Sequence, residues 1–180
     1  MGIETITITD VQDAKKCAGG YGDNNYTAWI SMLDAEDERD MYNINRKFTQ
    51  RGISHFYRYF RDADDTCPYA ELEGPQLEDI QYIINFLTGL KNQDKNHHLG
   101  INCFAGVSRS VACGVLAWVI QGYSEEVALE KVLAVRSCGW PNERILRLFD
   151  EITGKNTRNV VSEWKKSPKQ PFKIANLAWT

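Results

Sequence analysis

Cys103 and Arg109 stand six positions apart in Leu99-Gly100-Ile101-Asn102-Cys103-Phe104-Ala105-Gly106-Val107-Ser108-Arg109-Ser110. These residue types suit the capture of an anion and its attack by sulfur. The apolar start reads as a short buried strand, and Ser110 to Ile120 is apolar on every face, as a central helix would be. Between them the amides from Phe104 to Arg109 can form a nest, to which the helix N-terminus adds partial positive charge. Gly106 gives the loop its freedom in φ. Arg109 can hold two phosphoryl oxygens at once, and the same field favours the thiolate of Cys103 over its thiol. A thiolate held beneath a bound phosphoryl group is a nucleophile. Cys17, Cys67, Cys113 and Cys138 lack such neighbours and read as small apolar fillers.

Attack on a phosphate ester must expel an oxygen, and a nearby carboxylic acid would protonate it. Asp62, Asp64 and Asp65 supply candidates in Arg61-Asp62-Ala63-Asp64-Asp65-Thr66, a loop placed to reach over the phosphate. The Ser110 hydroxyl fits a helix start. His97 and His98 read as solvated residues of a polar turn rather than a metal pair, and His55 as a structural strand residue. The scheme needs no metal and no cofactor.

The run from Cys103 to Ser110 resembles the Cys-x5-Arg-Ser/Thr phosphate-binding loop of the cysteine-dependent protein tyrosine phosphatases. Its Ala-Gly-Val-Ser-Arg-Ser wording and the small size of the chain are similar to the dual-specificity branch, especially small bacterial or phage-type members. Pro141-Asn142-Glu143-Arg144-Ile145-Leu146 resembles the segment that opens the last helix of that branch. The similarity spans residues 28–154, the loop being its most specific part. It implies a single-domain three-layer α/β/α fold with a central mixed sheet. It also implies catalytic roles for Cys103 as nucleophile, Arg109 as phosphate clamp, Asp62 as general acid and Ser110 as hydrogen-bond partner of the sulfur. Phe104, Ala105, Gly106, Val107 and Ser108 would surround the phosphate. The reaction implied is hydrolysis of phosphotyrosine, with phosphoserine and phosphothreonine as further substrates, on a phosphorylated protein or peptide. One residue departs from the pattern: the family has His immediately before the cysteine, where this chain has Asn102. The competing reading is a phosphate-binding pseudophosphatase, in which Asn102 leaves Cys103 slow. A sulfur-transfer or arsenate-reducing enzyme would need a resolving cysteine in a mobile segment, and none is evident.

The elements that must position these residues follow from periodicity and caps. Alternation from Ile3 to Thr9 reads as a strand, with Asp10 capping a helix through Lys16. The Gly-rich stretch from Gly19 to Asn25 is loop. Ala28–Leu33 and Ser54–Phe60 read as strands, and Tyr42–Gln50 as a helix. Gln76–Leu90 is expected to bury Leu77, Ile80, Ile84 and Leu87. Gly122 closes the helix that follows the loop, Ser124 starts the next, and Asn142 caps a final helix that Gly154 ends. Strands separated by helices imply a sheet covered on both faces, with the Cys103 loop at the carboxyl end of a strand.

Composition bounds the rest. At 180 residues, with 43% hydrophobic and 25% charged, the chain suits one compact domain, residues 1–154, followed by a basic tail, 155–180. That tail sets Lys155, Arg158, Lys165, Lys166, Lys169 and Lys173 against Glu163 alone, in a chain of net charge −3. The body is therefore acidic, which argues against nucleic acid as a partner. No apolar run reaches the ~18 residues of a membrane span, and Met1–Ile6 lacks the form of a secretory leader. Five cysteines, an odd number with no paired CxxC spacing, suit a reducing compartment, so a cytoplasmic chain without a membrane partner is expected. The oligomeric state is left open.

Overall fold

The computed structural model describes residues 2–22 and 25–167. Four strands, β1 (Gly2–Thr9), β2 (Ala28–Leu33), β3 (Ser54–Tyr59) and β4 (Asn96–Asn102), form one sheet in the order β1-β4-β2-β3. All three pairings are parallel, so the expected mixed sheet is corrected. The reason is connectivity. Every strand is followed by at least one helix before the next, and a helical crossover returns the chain parallel.

The helices are α1 (Val11–Ala18), α2 (Glu38–Gln50), α3 (Ala70–Glu73), α4 (Leu77–Lys91), α5 (Arg109–Gln121), α6 (Glu125–Val135), α7 (Glu143–Thr153) and α8 (Thr157–Lys166). Period 2 along the central strands divides the core. Ala28, Ile30 and Met32 of β2, with Leu99 and Ile101 of β4, face a large core that α4 to α8 help to build. Trp29 and Leu33 face a smaller one closed by α1 and α2 through Val11, Ala14, Met41, Ile44 and Phe48. Both faces are covered, which gives the three layers expected. Gly100 is required at the seam: a Cβ there would lie 2.1 Å from the Trp29 ring.

Several local signals hold. Asp10 accepts from Asp13 N at 2.9 Å, Asn142 from Ile145 N at 3.0 Å, and Gly122 and Gly154 end their helices at φ 105° and 69°. Others are corrected. Helix α2 begins at Glu38 because the acids of its first turn suit a helix N-terminus. The buried stripe of α4 is Ile80, Ile83, Leu87 and Leu90, while Leu77 is 44% exposed. Apolar residues on several sides of that helix made its inner face ambiguous. His97 and His98 lie in β4 rather than a turn, pairing with β1, and His97 is buried 3.0 Å from Thr27 Oγ1. Cys113 is a core filler, but Cys138 is exposed. Helix α7 is not the last: α8 packs on it, with Val161 buried and Trp164 against Trp140. Residues 168–180, including Lys169 and Lys173 of the basic tail, lie outside the described residues, as do Asp23 and Asn24 of the Gly-rich loop.

Candidate active site

A parallel sheet brings the carboxyl ends of its strands to one edge, where open α/β sheets bind ligands. Here that edge gathers Asp34 after β2, Phe60 to Asp62 after β3, and Cys103 after β4. The loop of residues 103–108 then turns into α5. Its turn needs glycine at 106, where φ is +70° and a Cβ would meet the Thr9 carbonyl carbon at 2.6 Å.

The orientation of the loop is set from outside. The Phe104 carbonyl accepts from Val11 N at 3.1 Å, and Val107 from Trp140 N at 2.8 Å. The Ser108 carbonyl accepts from Ala112 N at 3.0 Å. The Arg136 guanidinium donates to the Gly106 carbonyl at 2.9 Å and to Ala105 at 3.1 Å. In a trans peptide the N–H points opposite to the C=O. Five outward carbonyls therefore leave the amides of Ala105 to Arg109 facing the concave side, a nest for an anion.

Cys103 lies at the floor of that nest, 1% exposed, with Sγ 3.2 Å from Ser110 Oγ. Arg109 is 2% exposed, and its Nη1 donates to Asp34 Oδ1 and to the Phe60 carbonyl, both at 2.6 Å. Its Nε is buried with no acceptor. An unsatisfied buried donor on a cation costs on the order of 1–3 kcal/mol, a cost that an incoming anion would remove.

The three candidate acids have different surroundings. Asp62 Oδ1 accepts from Ser108 Oγ at 2.7 Å and from Asn142 Nδ2 at 2.8 Å, and its Oδ2 lies 3.9 Å from Arg109 Nε. Asp62 thus leans over the loop of residues 103–108 with one oxygen tied and the other turned toward Arg109. Asp64 closes its own turn, accepting from the amide and hydroxyl of Thr66, and the Thr66 hydroxyl bond holds its carboxyl below the usual range. Asp65 pairs with Arg147 and Arg144, the Arg147 bond first among the causes that hold it low. The structure brings Cys103, Arg109, Ser110, Asp62 and the loop 104–108 together and gives Asp64 and Asp65 other partners.

Three participants escaped the sequence reading. Asp34 is one of several acids between Asp34 and Asp40, and its place directly after the apolar β2 is the signal the sequence carries. Asn142 caps α7 as the sequence implies, and its amide nitrogen also holds Asp62. Arg136 carried no sequence signal. Burial, with Cys103 as a second cause, pushes the Cys113 thiol up, so it is inert. Among the described residues no group of three or more His, Cys, Asp or Glu side chains gathers as a metal site requires, and no helix is long and apolar enough to cross a membrane.

No family model matches the sequence, and no curated relative does. Solved structures do match the fold. The Cydia pomonella PTP-2 phosphatase superposes with a TM-score of 0.59 at 19% identity, over 82% of this chain and 85% of that one. Tk-PTP in its active form gives 0.55 at 14% identity, over 84% and 93%. PTPMT1 in complex with PI(5)P gives 0.55 at 15% identity, over 89% and 94%. The chain has the fold of the cysteine-dependent protein tyrosine phosphatases of dual-specificity type.

Proposed function

We propose that the protein is a phosphatase that hydrolyses phosphotyrosine on proteins or peptides, with phosphoserine and phosphothreonine as further substrates, through a phosphocysteine on Cys103. The observation that carries this reading is the buried Arg109 Nε without an acceptor, set at a nest of inward amides above a buried thiol. In the first step the Cys103 thiolate forms a bond to phosphorus and the ester P–O bond breaks. The equatorial oxygens rest on the loop amides and Arg109, and protonated Asp62 gives its proton to the departing oxygen. In the second step water attacks phosphorus and gives its proton to Asp62. The S–P bond breaks, inorganic phosphate leaves, and the Ser110 hydroxyl donates to the returning sulfur. A dianion suits the cradle, since a phosphate makes use of both Nε–H and the amides.

The substrate class follows from what surrounds the cradle. Phe104, Ala105, Gly106, Val107 and Ser108 add no cation, Asp34 and Asp62 lie beside Arg109, and the neighbouring Arg61 is taken up by Glu36 and Glu73. Further phosphates, as on a polyphosphorylated lipid headgroup, would meet carboxylates there, so a monophosphorylated side chain is favoured. A thiolate nucleophile with none of the five cysteines in a disulfide also suits a reducing compartment such as the cytoplasm. The test is turnover of an aryl phosphate and a phosphotyrosine peptide, with chelator present, by the protein and by Cys103→Ser. Hydrolysis lost in the variant supports the enzyme. Tight peptide binding with no turnover by the unaltered protein would leave a phosphate-binding module instead.

A further inference from the structure

The smaller core between the sheet and helices α1 and α2 is crossed by one line of polar groups. It runs Trp29–Asn102–Ser31–His55–Asn45. Asn102 and Ser31 are fully buried and stand opposite each other in the β2–β4 register, while His55 stands opposite Trp29 in the β2–β3 register. Asn102 Oδ1 accepts from Trp29 Nε1 at 2.8 Å and from Ser31 Oγ at 2.7 Å. Ser31 Oγ lies 2.9 Å from His55 Nε2, and His55 Nδ1 lies 3.0 Å from Asn45 Oδ1. At the other end Asn102 Nδ2 donates to the Cys103 carbonyl at 3.3 Å.

The chemistry of these groups gives the line a direction. An indole N–H only donates, so the oxygen of Asn102 must face Trp29. Ser31 can reach that oxygen only as a donor, which uses its one hydrogen. Its lone pair must then accept from His55, so His55 carries its proton on Nε2. Burial pushes the His55 imidazole down to about 3, so the ring is neutral and Nδ1 is bare. The Asn45 amide, placed with Oδ1 toward Nδ1, must then be turned end for end so that its nitrogen donates there, the two ends of an amide being interchangeable in shape. If the proton sat on Nδ1 instead, the Ser31 hydrogen would be drawn to Nε2. Asn102 would then lose one of its two holds.

We infer that His55 is a positioning residue for Cys103: its Nε2–H orients Ser31, Ser31 and Trp29 fix Asn102, and Asn102 fixes the strand–loop corner from which the thiol projects. This rests on the reading of Cys103 as the nucleophile. The residue before the cysteine thus acts through a neutral string reaching across β2 and β3 to α2.

Two substitutions separate the ends of the ring. His55→Gln keeps an N–H near the place of Nε2, whereas His55→Asn keeps only the Nδ1 side. On an aryl phosphate, His55→Asn is expected to lower kcat about tenfold with little change in KM, the loss of one part-buried hydrogen bond, and His55→Gln to recover most of that loss. In 15N-edited spectra of the unaltered protein the His55 ring should be the Nε2–H tautomer. The Trp29 indole resonance should shift in His55→Asn and stay in place in His55→Gln. Equal rates in the two variants, or an Nδ1–H tautomer, overturn the inference. If the unaltered protein turns over no phosphate, the functional reading fails, while the tautomer and the indole resonance still decide whether the string exists. They also decide it if His55→Asn does not fold, since the tautomer is read on the unaltered chain.

Discussion

Removing Asp34 tests whether the guanidinium of Arg109 is aimed by a carboxylate. The Arg109 side chain is 3% exposed and that of Asp34 is 35% exposed, with 2.6 Å between Nη1 and Oδ1. Breaking a fully buried pair costs about 3–5 kcal/mol, and a surface pair contributes under about 1. Water reaches Asp34, and the Phe60 carbonyl still accepts from Nη1 in its absence. Asp34→Ala is therefore expected to cost about 2 kcal/mol, or a fall of about 4–8 °C in Tm for a chain of this size. Catalysis should respond in two opposed ways. The site gains a net positive charge, so inorganic phosphate inhibits at lower concentration, but the fork is less well aimed and kcat falls about tenfold. Asp34→Asn, which keeps an acceptor, should retain more stability than Asp34→Ala. Thermal unfolding and steady-state kinetics with phosphate as inhibitor read both effects. An Asp34→Ala protein that melts with the unaltered chain and keeps its kcat would refute the reasoning, leaving Phe60 and the loop to fix Arg109 unaided.

The general acid is tested by Asp62→Asn, which should lower kcat by about 10²–10⁴ on an alkyl phosphate, whose leaving oxygen needs the proton most. Asp64→Asn and Asp65→Asn should keep most of that rate, Asp65→Asn losing some stability because Arg144 and Arg147 lose a partner. Gly106→Ala places a Cβ 2.6 Å from the Thr9 carbonyl carbon at positive φ, a strain of at least about 1–2 kcal/mol. Its expected result is weakened phosphate binding in calorimetry, accompanied by a lower Tm.

Much of the molecule was legible because its signals are local. Asp10, Asn142, Gly122 and Gly154 act on their own helices, and the run from Leu99 to Ile120 encodes strand, loop and helix without help from elsewhere. Cys103, Arg109 and Ser110 meet because that local order forces it. The rest depends on side chains that meet across long stretches of chain. Asp34 reaches Arg109 from 75 residues away, and Asn142 reaches Asp62 from 80. Such pairings exist only once the parallel sheet has set its strand ends on one edge. The different settings of Asp62 and Asp65 have the same origin, since Asn142 and Arg147 reach them from far along the chain, whereas Asp64 closes its own turn on Thr66. His97 misled for a related reason: a histidine among polar residues looks solvated until strand pairing with β1 buries it.

The account stands most directly on a covalent bond from phosphorus to sulfur. Rapid acid quench of the protein with a 32P-labelled phosphotyrosine peptide, followed by proteolysis, should place the label on the fragment containing Cys103. The label should accumulate in Asp62→Asn under conditions where breakdown of the intermediate is slowed, and be absent in Cys103→Ser. Turnover with no labelled Cys103 fragment in either the unaltered protein or Asp62→Asn would contradict it.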